Sequence, residues 1–183
     1  MKQTTLPLIL FLALAGLFWL VLDQMNSGTY DPRDIPSTQL NQAAPAFSLP
    51  DLLKPNQQVR PADNRGKIWL LNVWGTWCPE CWREHAFLVE LANQGVPIVG
   101  LNWRDQRADA VQMLTQLGNP FVQIGFDPNS QAAIEWGVYG APETFLIDAE
   151  GIIRVKYKGA LNAAVWQKHF VPFYQSDVDK NDT

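Results

Sequence analysis

Apolar residues gather into a few runs of different lengths along this chain of 183 residues. The first run, over residues 6–22, carries no charge and has about the minimum length of a helix that spans a bilayer. The runs at 68–74 and 96–103 are shorter and rich in branched and aromatic residues, which is typical of strands buried on both faces. We therefore expect a hydrophobic helix near the amino terminus, followed by a domain with a buried sheet.

Segments with the apolar spacing of a helix alternate with these strands. The pattern predicts helices over 79–94, 107–117 and 129–136, and a glycine follows the end of each one. Shorter strands are predicted at 46–49, 59–60, 121–126, 143–148 and 152–157, and a closing helix at 161–174. The order of these elements predicts an α/β fold, in which an N-terminal β-hairpin precedes a mixed sheet with helices on both faces.

The polarity of the connecting segments predicts five regions. They are a cytoplasmic amino terminus (1–5), a transmembrane signal anchor (6–22), a linker (23–44), the folded domain (45–174) and a flexible tail (175–183). Lys2 before the apolar run and Asp23 after it favour a cytoplasmic amino terminus and an exported domain. A cleaved signal peptide is the alternative, but the apolar run continues past the small residues Ala13 and Ala15, and no good cleavage site follows Leu22.

Composition excludes one class of partner and indicates one kind of chemistry. The net charge is -4 and no basic run is present, so we expect no nucleic-acid partner. The two cysteines, Cys78 and Cys81, form a single Cys-x-x-Cys pair. A structural disulfide is the ordinary explanation in an exported protein, but so short a loop constrains little of the unfolded chain. The position of the pair between a strand and a helix favours reversible thiol–disulfide exchange, with no other cofactor.

The two cysteines have different predicted roles. Pro79 follows Cys78 at the start of the predicted helix, where backbone N–H groups and the helix dipole favour a thiolate. We therefore expect Cys78 to be an exposed nucleophile, and the more buried Cys81 to resolve the mixed disulfide that forms at Cys78. His85 adds one side chain that could bind a metal, but no second pair of ligands follows, so we expect no metal site.

A second motif lies at residues 137–144, with the sequence Gly-Val-Tyr-Gly-Ala-Pro-Glu-Thr. Two glycines and a proline directly before a strand indicate a tight loop. A cis peptide bond before Pro142 would leave the preceding backbone free to pair with an extended chain, whereas a trans proline is the commoner case. The local sequence leaves both conformations open.

Together, the two motifs resemble those of the thioredoxin superfamily and, more narrowly, of the CcmG/DsbE family of thiol:disulfide interchange proteins. The resemblance rests on the sequence Trp-Gly-Thr-Trp-Cys-Pro at 74–79, on Glu84 and His85, and on residues 137–148. It covers the apolar run and nearly all of the domain. It implies a thioredoxin-like fold, a strand–helix insertion after the active-site helix and a cis peptide bond at Pro142.

The resemblance also implies an activity, a location and partners. Members of this family are reductants of cytochrome c maturation, anchored in the bacterial inner membrane with the domain in the periplasm. A DsbD-type membrane thiol reductase would supply the electrons, and oxidised apocytochrome c or a CcmH-type protein would accept them. Glu84 and Glu143 match acidic residues that line the family's active-site groove. Trp77, beside Cys78, is a candidate for an exposed substrate surface.

The sequence departs from the family pattern near the cysteines. Ala160 stands where an acidic residue is usual, Trp82 stands where a basic one is usual, and Glu80 lies inside the Cys-x-x-Cys loop. Glu80 would either replace the missing carboxylate or serve only as a favourable acid in the first helical turn. If Glu80, Glu84 and Glu143 are ionised near the cysteines, they disfavour the thiolate and make the protein a better electron donor.

The residues alone leave other functions open. A related thioredoxin-like reductase would serve another exported substrate, such as a copper-site protein. A binding module would use the two cysteines to hold a metal or an apoprotein. A thiol peroxidase would reduce a peroxide, but the loop at Pro142 suits an extended polypeptide better than a peroxide.

Overall fold

The computed structural model describes residues 5–26 and 39–175. The chain divides into two compact units, Met1–Ile35 and Pro36–Thr183. Helix α1 (Thr5–Asn26) belongs to the first unit and contains the apolar run over 6–22. Within the described residues, no helix has both the length and the apolar character that crossing a membrane requires. Nearly all of the predicted amino terminus and tail lies outside the described residues.

A mixed sheet of five strands forms the centre of the second unit in the described part of the chain. Its strands are β3 (Trp69–Trp74), β4 (Ile98–Trp103), β5 (Gln123–Asp127), β6 (Glu143–Ile147) and β7 (Ile153–Lys158). In the order β5-β4-β3-β6-β7, β4 is parallel to β3 and β5, whereas β6 is antiparallel to β3 and β7. Strands β1 (Leu49–Pro50) and β2 (Gln58–Val59) form a separate antiparallel hairpin. The mixed sheet and the N-terminal hairpin confirm the prediction from the sequence.

Helices cover both faces of this sheet. They are α2 (Pro79–Asn93), α3 (Arg107–Leu117), α4 (Gln131–Glu135) and α5 (Ala163–Val165), which continues as a π-helical turn over Trp166–Phe170 and a helical turn over 171–175. On one face of β3, Leu70 and Trp74 belong to a core cluster with residues of α2, α3 and the C-terminal helix. On the other face, Leu71 and Val73 belong to a cluster with residues of α4 and the hairpin. Burial on both faces explains the continuous apolar run of β3.

The segment before the hairpin is hydrogen bonded to the domain. The N–H of Asn41 donates to the carbonyl of Ile153 at 2.8 Å, and the N–H of Ala44 donates to the carbonyl of Gly151 at 2.8 Å. Polarity and prolines predict a linker over 23–44, but they do not reveal backbone pairing with the β6–β7 hairpin. The folded domain therefore begins earlier than predicted.

A buried carboxylate holds the short helix α4 at the end of β5. Asp127 is 1% exposed, and its two oxygens accept the backbone N–H groups of Gln131 at 2.7 Å and Ala133 at 2.9 Å. The first turn of a helix leaves these N–H groups without partners inside the helix. Asp127 therefore connects the sheet edge to α4 through two charged hydrogen bonds.

We expect Asp127→Ala to lower the free energy of unfolding by about 3 kcal/mol, because two N–H groups at a buried site lose an ionised acceptor. Urea unfolding of the oxidised chain measures the change. Glu135→Ala is the matched control, because Glu135 is exposed on the same helix and we expect a change within about 0.5 kcal/mol. Similar losses in the two variants would contradict this role of Asp127.

Candidate active site

The Cys-x-x-Cys pair lies where β3 passes into α2. Cys78 is the N-cap residue of α2, with extended backbone (φ -99°, ψ 106°), and Pro79 follows in the first turn. The sulfur atoms of Cys78 and Cys81 are joined in a disulfide. The backbone N–H of Cys81 donates to Sγ of Cys78 at 3.1 Å. The helix start thus directs a donor at the sulfur of Cys78, a geometry that favours a thiolate there after reduction.

Both cysteines are buried in the oxidised protein. Each is 2% exposed, so the expectation of an exposed Cys78 and a more buried Cys81 is wrong for this form. Both belong to the core cluster that contains Trp74 and Leu161, and Ala141 packs against that cluster. The motif locates Cys78 at a helix start, but it does not reveal that residues from distant parts of the chain, such as Leu161, complete the core cluster to which Cys78 belongs.

Asp105 fixes the loop between β3 and α2. Its carboxylate accepts the N–H of Thr76 at 2.7 Å and the hydroxyl of Thr76 at 2.5 Å, together with the side-chain amide of Asn102 at 2.8 Å. Because Asp105 follows β4, these bonds couple the loop before Cys78 to the neighbouring strand. Asp105 does not appear among the residues predicted from the sequence, and its signal in the sequence is an acidic residue two positions after the buried strand β4.

Trp77 provides exposed aromatic surface next to Cys78, as expected. It is 48% exposed, and its indole N–H donates to the carbonyl of Trp103 at 3.0 Å. The rings of Trp77 and Trp103 pack edge to face with centroids 5.5 Å apart. Gly75 makes room for this ring, because a Cβ built there would lie 2.4 Å from the indole nitrogen of Trp77. Trp77 is therefore a positioned surface residue.

Residues 139–142, which we call the cis-proline loop, contribute Ala141 to the packing against the core cluster that contains both cysteines. The Ala141–Pro142 peptide bond is cis, and Pro142 is buried. The carbonyl of Pro142 accepts the N–H of Gly159 at 2.9 Å. Over the described residues, the backbone of Ala141 makes no hydrogen bond. The loop therefore holds an unpaired backbone segment against the cluster that contains the disulfide.

Glu84 is enclosed one helical turn beyond Cys81. It is 1% exposed; its Oε1 accepts the side-chain amide of Asn72 at 2.9 Å, and its Oε2 accepts the backbone N–H of Leu161 at 2.7 Å. Burial raises the pKa of Glu84 to about 7, although the hydrogen bonds from Leu161 and Asn72 oppose the rise, and the charge of Glu80 adds to it. Near neutral pH, Glu84 therefore exists in both protonation states.

Glu143 lies on the other face of the sheet. It shares a face of β6 with Phe145, which belongs to the cluster of α4 and the hairpin. Glu143 is 2% exposed; its Oε1 accepts the N–H of Tyr139 at 3.0 Å, and its Oε2 lies 3.6 Å from Nζ of Lys156. Burial lowers the pKa of Lys156, and the charge of Glu143 opposes this. The structure does not bring Glu143 together with Glu84, although the resemblance assigns both to one groove.

The remaining candidates lie at the surface or in structural contacts. Glu80 is exposed and pairs with Arg83, which is also exposed. Trp82 is 42% exposed, and its indole N–H donates to the carbonyl of Thr76 at 2.8 Å. His85 is buried, its Nε2 lies 2.8 Å from the carbonyl oxygen of Gly118, and burial lowers its pKa.

Comparisons with known proteins cover almost the whole chain. The Redoxin family model matches residues 39–167. A protein named thiol:disulfide interchange protein DsbE from Allochromatium vinosum is 46% identical over 172 residues, which are 93% of this chain and 92% of that protein. DsbE from Vibrio cholerae is 46% identical over 174 residues, with 95% and 94% coverage. DsbE from Escherichia coli K12 is 42% identical over 177 residues, with 95% and 94% coverage.

Solved structures share the fold of the domain. A crystal structure of a thiol:disulfide interchange protein DsbE from Chlorobium tepidum superposes with a TM-score of 0.65 at 25% identity, over 79% of this chain and 99% of that one. A secreted thiol-disulfide isomerase from Corynebacterium glutamicum gives a TM-score of 0.63 at 20% identity, over 80% and 96%, and that likeness shows the fold alone.

Disulfides at helix starts occur in many thioredoxin-like proteins, so geometry by itself identifies the chemistry and not the family. The identities of 42–46% extend over nearly the full length of this chain and of its relatives. This chain therefore belongs to the DsbE family of thiol:disulfide interchange proteins, and it is a protein-disulfide oxidoreductase.

Proposed function

We propose that this oxidoreductase acts as a reductant of polypeptide disulfides in cytochrome c maturation. Its acceptor would be oxidised apocytochrome c or a CcmH-type protein, and its donor would be a DsbD-type membrane thiol reductase. The supporting observation is the combination of the Cys78–Cys81 disulfide with the unpaired backbone of Ala141 on the same cluster. An extended polypeptide pairs with such a backbone segment, whereas a small disulfide or a peroxide does not need it.

The exchange follows from the positions of the two sulfurs. In the reduced protein, the thiolate of Cys78 attacks one sulfur of the substrate disulfide, that S–S bond breaks, and the other substrate sulfur leaves and takes up a proton. The thiolate of Cys81 then attacks Sγ of Cys78, so that the second substrate thiol leaves and the Cys78–Cys81 disulfide forms. Two electrons pass to the substrate, and a dithiol donor restores the reduced protein by the same steps in reverse.

Glu84 supplies the proton acceptor that the second step needs. Cys81 and Glu84 are three residues apart on α2 and are both buried, so they lie on the same helix face with about 5–6 Å between Cβ atoms. That spacing allows a proton to pass from the thiol of Cys81 to the carboxylate through one water molecule. A carboxyl group with a pKa of about 7 is suited to accept and return this proton near neutral pH.

The proposed location is the periplasmic face of a bacterial inner membrane, with the first unit as the anchor. Large apolar side chains along α1, including Phe11, Phe18 and Trp19, are exposed in the isolated chain. So much exposed apolar surface on one helix indicates an apolar environment in the functional protein. Lys2 before this segment and Asp23 after it favour export of the domain.

We expect Cys81→Ala to accumulate a mixed disulfide between Cys78 and its partner, because the sulfur that releases the partner is missing. Non-reducing electrophoresis of the native membrane, followed by mass spectrometry of the linked proteins, identifies the partner. Recovery of apocytochrome c or a CcmH-type protein supports the proposal. Cys78→Ala is the matched control and should trap at least tenfold less.

Two results of the trapping experiment would contradict the proposal. Equal trapping by Cys78→Ala would contradict the assignment of Cys78 as the nucleophile. Trapping by Cys81→Ala of only other exported proteins, such as copper-site proteins, would contradict cytochrome c maturation and favour a related reductase.

We expect Glu84→Gln to raise the reduction potential at pH 8 by about 30 mV, which corresponds to about 1.4 kcal/mol for this two-electron couple. Above its pKa of about 7, Glu84 is ionised and disfavours the thiolates of the reduced form. Below that pH the carboxyl is protonated, so the difference between variant and wild type should shrink at pH 5.5. Redox equilibration with glutathione at both pH values measures the potentials.

Glu80→Gln is the control for this measurement, because Glu80 is solvent-exposed and already paired with Arg83. It should move the potential by less than half as much as Glu84→Gln, since exposed charges are screened. If the potential of Glu84→Gln at pH 8 is unchanged or more negative, the electrostatic effect of Glu84 is absent.

A further inference from the structure

Asn72 is a polar residue at the centre of an otherwise apolar strand. It lies in β3, is completely buried, and faces Thr144 of β6 in the strand register. Its side-chain Nδ2 donates to Oε1 of Glu84 at 2.9 Å and to Oγ1 of Thr144 at 3.0 Å. Its Oδ1 is buried and has no hydrogen-bond partner among the described residues. Burying an amide oxygen without a hydrogen-bond partner costs free energy of folding. The arrangement of Asn72 therefore indicates a functional reason for keeping this amide in the strand.

The contacts of Asn72 fit an ionised Glu84. A carboxylate only accepts hydrogen bonds, so the amide must turn its Nδ2 towards Oε1. The hydroxyl of Thr144 accepts from the same nitrogen. In this state, Glu84 has a donor on each oxygen, namely Asn72 on Oε1 and the N–H of Leu161 on Oε2.

A protonated Glu84 reverses the requirement at Oε1. The N–H of Leu161 donates to Oε2, and the carbonyl oxygen of a neutral carboxyl group is its better acceptor, so the proton is favoured on Oε1, which then becomes a donor and needs an acceptor. A half-turn of the Asn72 amide exchanges Oδ1 and Nδ2, so Oδ1 accepts from Glu84. The same Oδ1 then faces Thr144, whose hydroxyl reverses from acceptor to donor. Both hydrogen bonds are retained with their directions exchanged.

We propose that Asn72 is a positioning residue for proton transfer: its amide turns over when Glu84 gains a proton, and it holds that proton on Oε1. Thr144 completes the switch, because a hydroxyl is both donor and acceptor. The buried carboxyl therefore changes its protonation state without losing a hydrogen bond. This inference rests on the proposed role of Glu84 as the proton acceptor for Cys81.

The surroundings of Glu84 leave Asn72 as its adjustable partner. On α2, the exposed Glu80 supplies a negative charge, and the disulfide of Cys78 and Cys81 is neutral. From β3 and β6 the facing side chains are those of Asn72 and Thr144, and β7 contributes Tyr157 to the adjoining cluster. The segment after β7 presents the backbone N–H of Leu161, which donates in either state.

Nuclear magnetic resonance of the full oxidised chain tests the switch without any substrate. We expect the carboxyl carbon of Glu84 and the side-chain amide signals of Asn72 to titrate with a common midpoint near pH 7. Asn72→Leu removes a hydrogen bond from both protonation states of Glu84; because the bond to the ionised carboxylate is the stronger one, the midpoint of Glu84 should rise by less than about one pH unit. A flat Asn72 signal through the titration of Glu84 would overturn the proposal.

A kinetic measurement separates positioning from a merely structural role. In Asn72→Leu that carries a peptide as a mixed disulfide on Cys78 and a free thiol at Cys81, release of the peptide should slow by about tenfold at pH 6.5 and recover above pH 9. A slowing that is equal at all pH values would indicate damage to the fold and overturn the positioning role. Asn162→Leu is the control; the side chain of Asn162 accepts the backbone N–H of Val165 at the start of α5 and makes no hydrogen bond to Glu84, and its effect should not depend on pH.

If Asn72→Leu does not fold, the titration of the wild-type amide still decides the proposal. Glu84→Gln provides the second variant, because its uncharged side chain with an N–H donor imitates the protonated carboxyl. In that variant, the Asn72 signals should be fixed near their low-pH positions at every pH. Signals at the high-pH positions would overturn the switch and leave the exchange chemistry of Cys78 and Cys81 untouched.

Discussion

The start of α2 at Cys78 determines where the groups of the active site lie. The chain leaves the buried strand β3, makes a short loop fixed by Asp105, and enters the helix with the N–H of Cys81 directed at Sγ of Cys78. This one geometry brings the sulfurs within bonding distance and places Glu84 one turn beyond Cys81 on the same face. In the proposed mechanism, the same helix therefore stabilises the thiolate of Cys78 and carries the carboxyl that accepts the proton.

Burial gives the site its second property. The disulfide and Glu84 both lie inside the domain, where separated charge is costly. Transfer of electrons to a substrate is therefore favoured when a proton moves as well, and in the proposed exchange Glu84, with a pKa of about 7, accepts that proton. Asn72 and the N–H of Leu161 keep that carboxyl hydrogen bonded. Burial destabilises the charged form of Glu84, and the same effect raises its pKa to the neutral range in which the proposed proton transfer takes place.

The elements that follow from local patterns could be predicted, whereas contacts between distant segments could not. The apolar run that ends at Trp74 and the spacing of apolar residues after Pro79 are enough to predict β3 and α2. A buried strand and a helix each produce a recognisable pattern of apolar residues within a short stretch of sequence. The burial of Cys78 and the position of Glu143 depend on segments far along the chain. The sequence shows Asn72 as a polar residue in an apolar strand, but its role could be inferred only from its hydrogen bond to Glu84 in the structure.

Alkylation of the reduced protein measures how accessible and how reactive the sulfur of Cys78 is. Mass spectrometry after timed exposure to iodoacetamide, between pH 5 and 9, gives the rate at each cysteine. We expect Cys78 to react at least tenfold faster than Cys81 and to react already at pH values where an ordinary thiol is protonated. Faster reaction at Cys81, or no reaction at Cys78 until the protein unfolds, would contradict the role of Cys78 as the nucleophile.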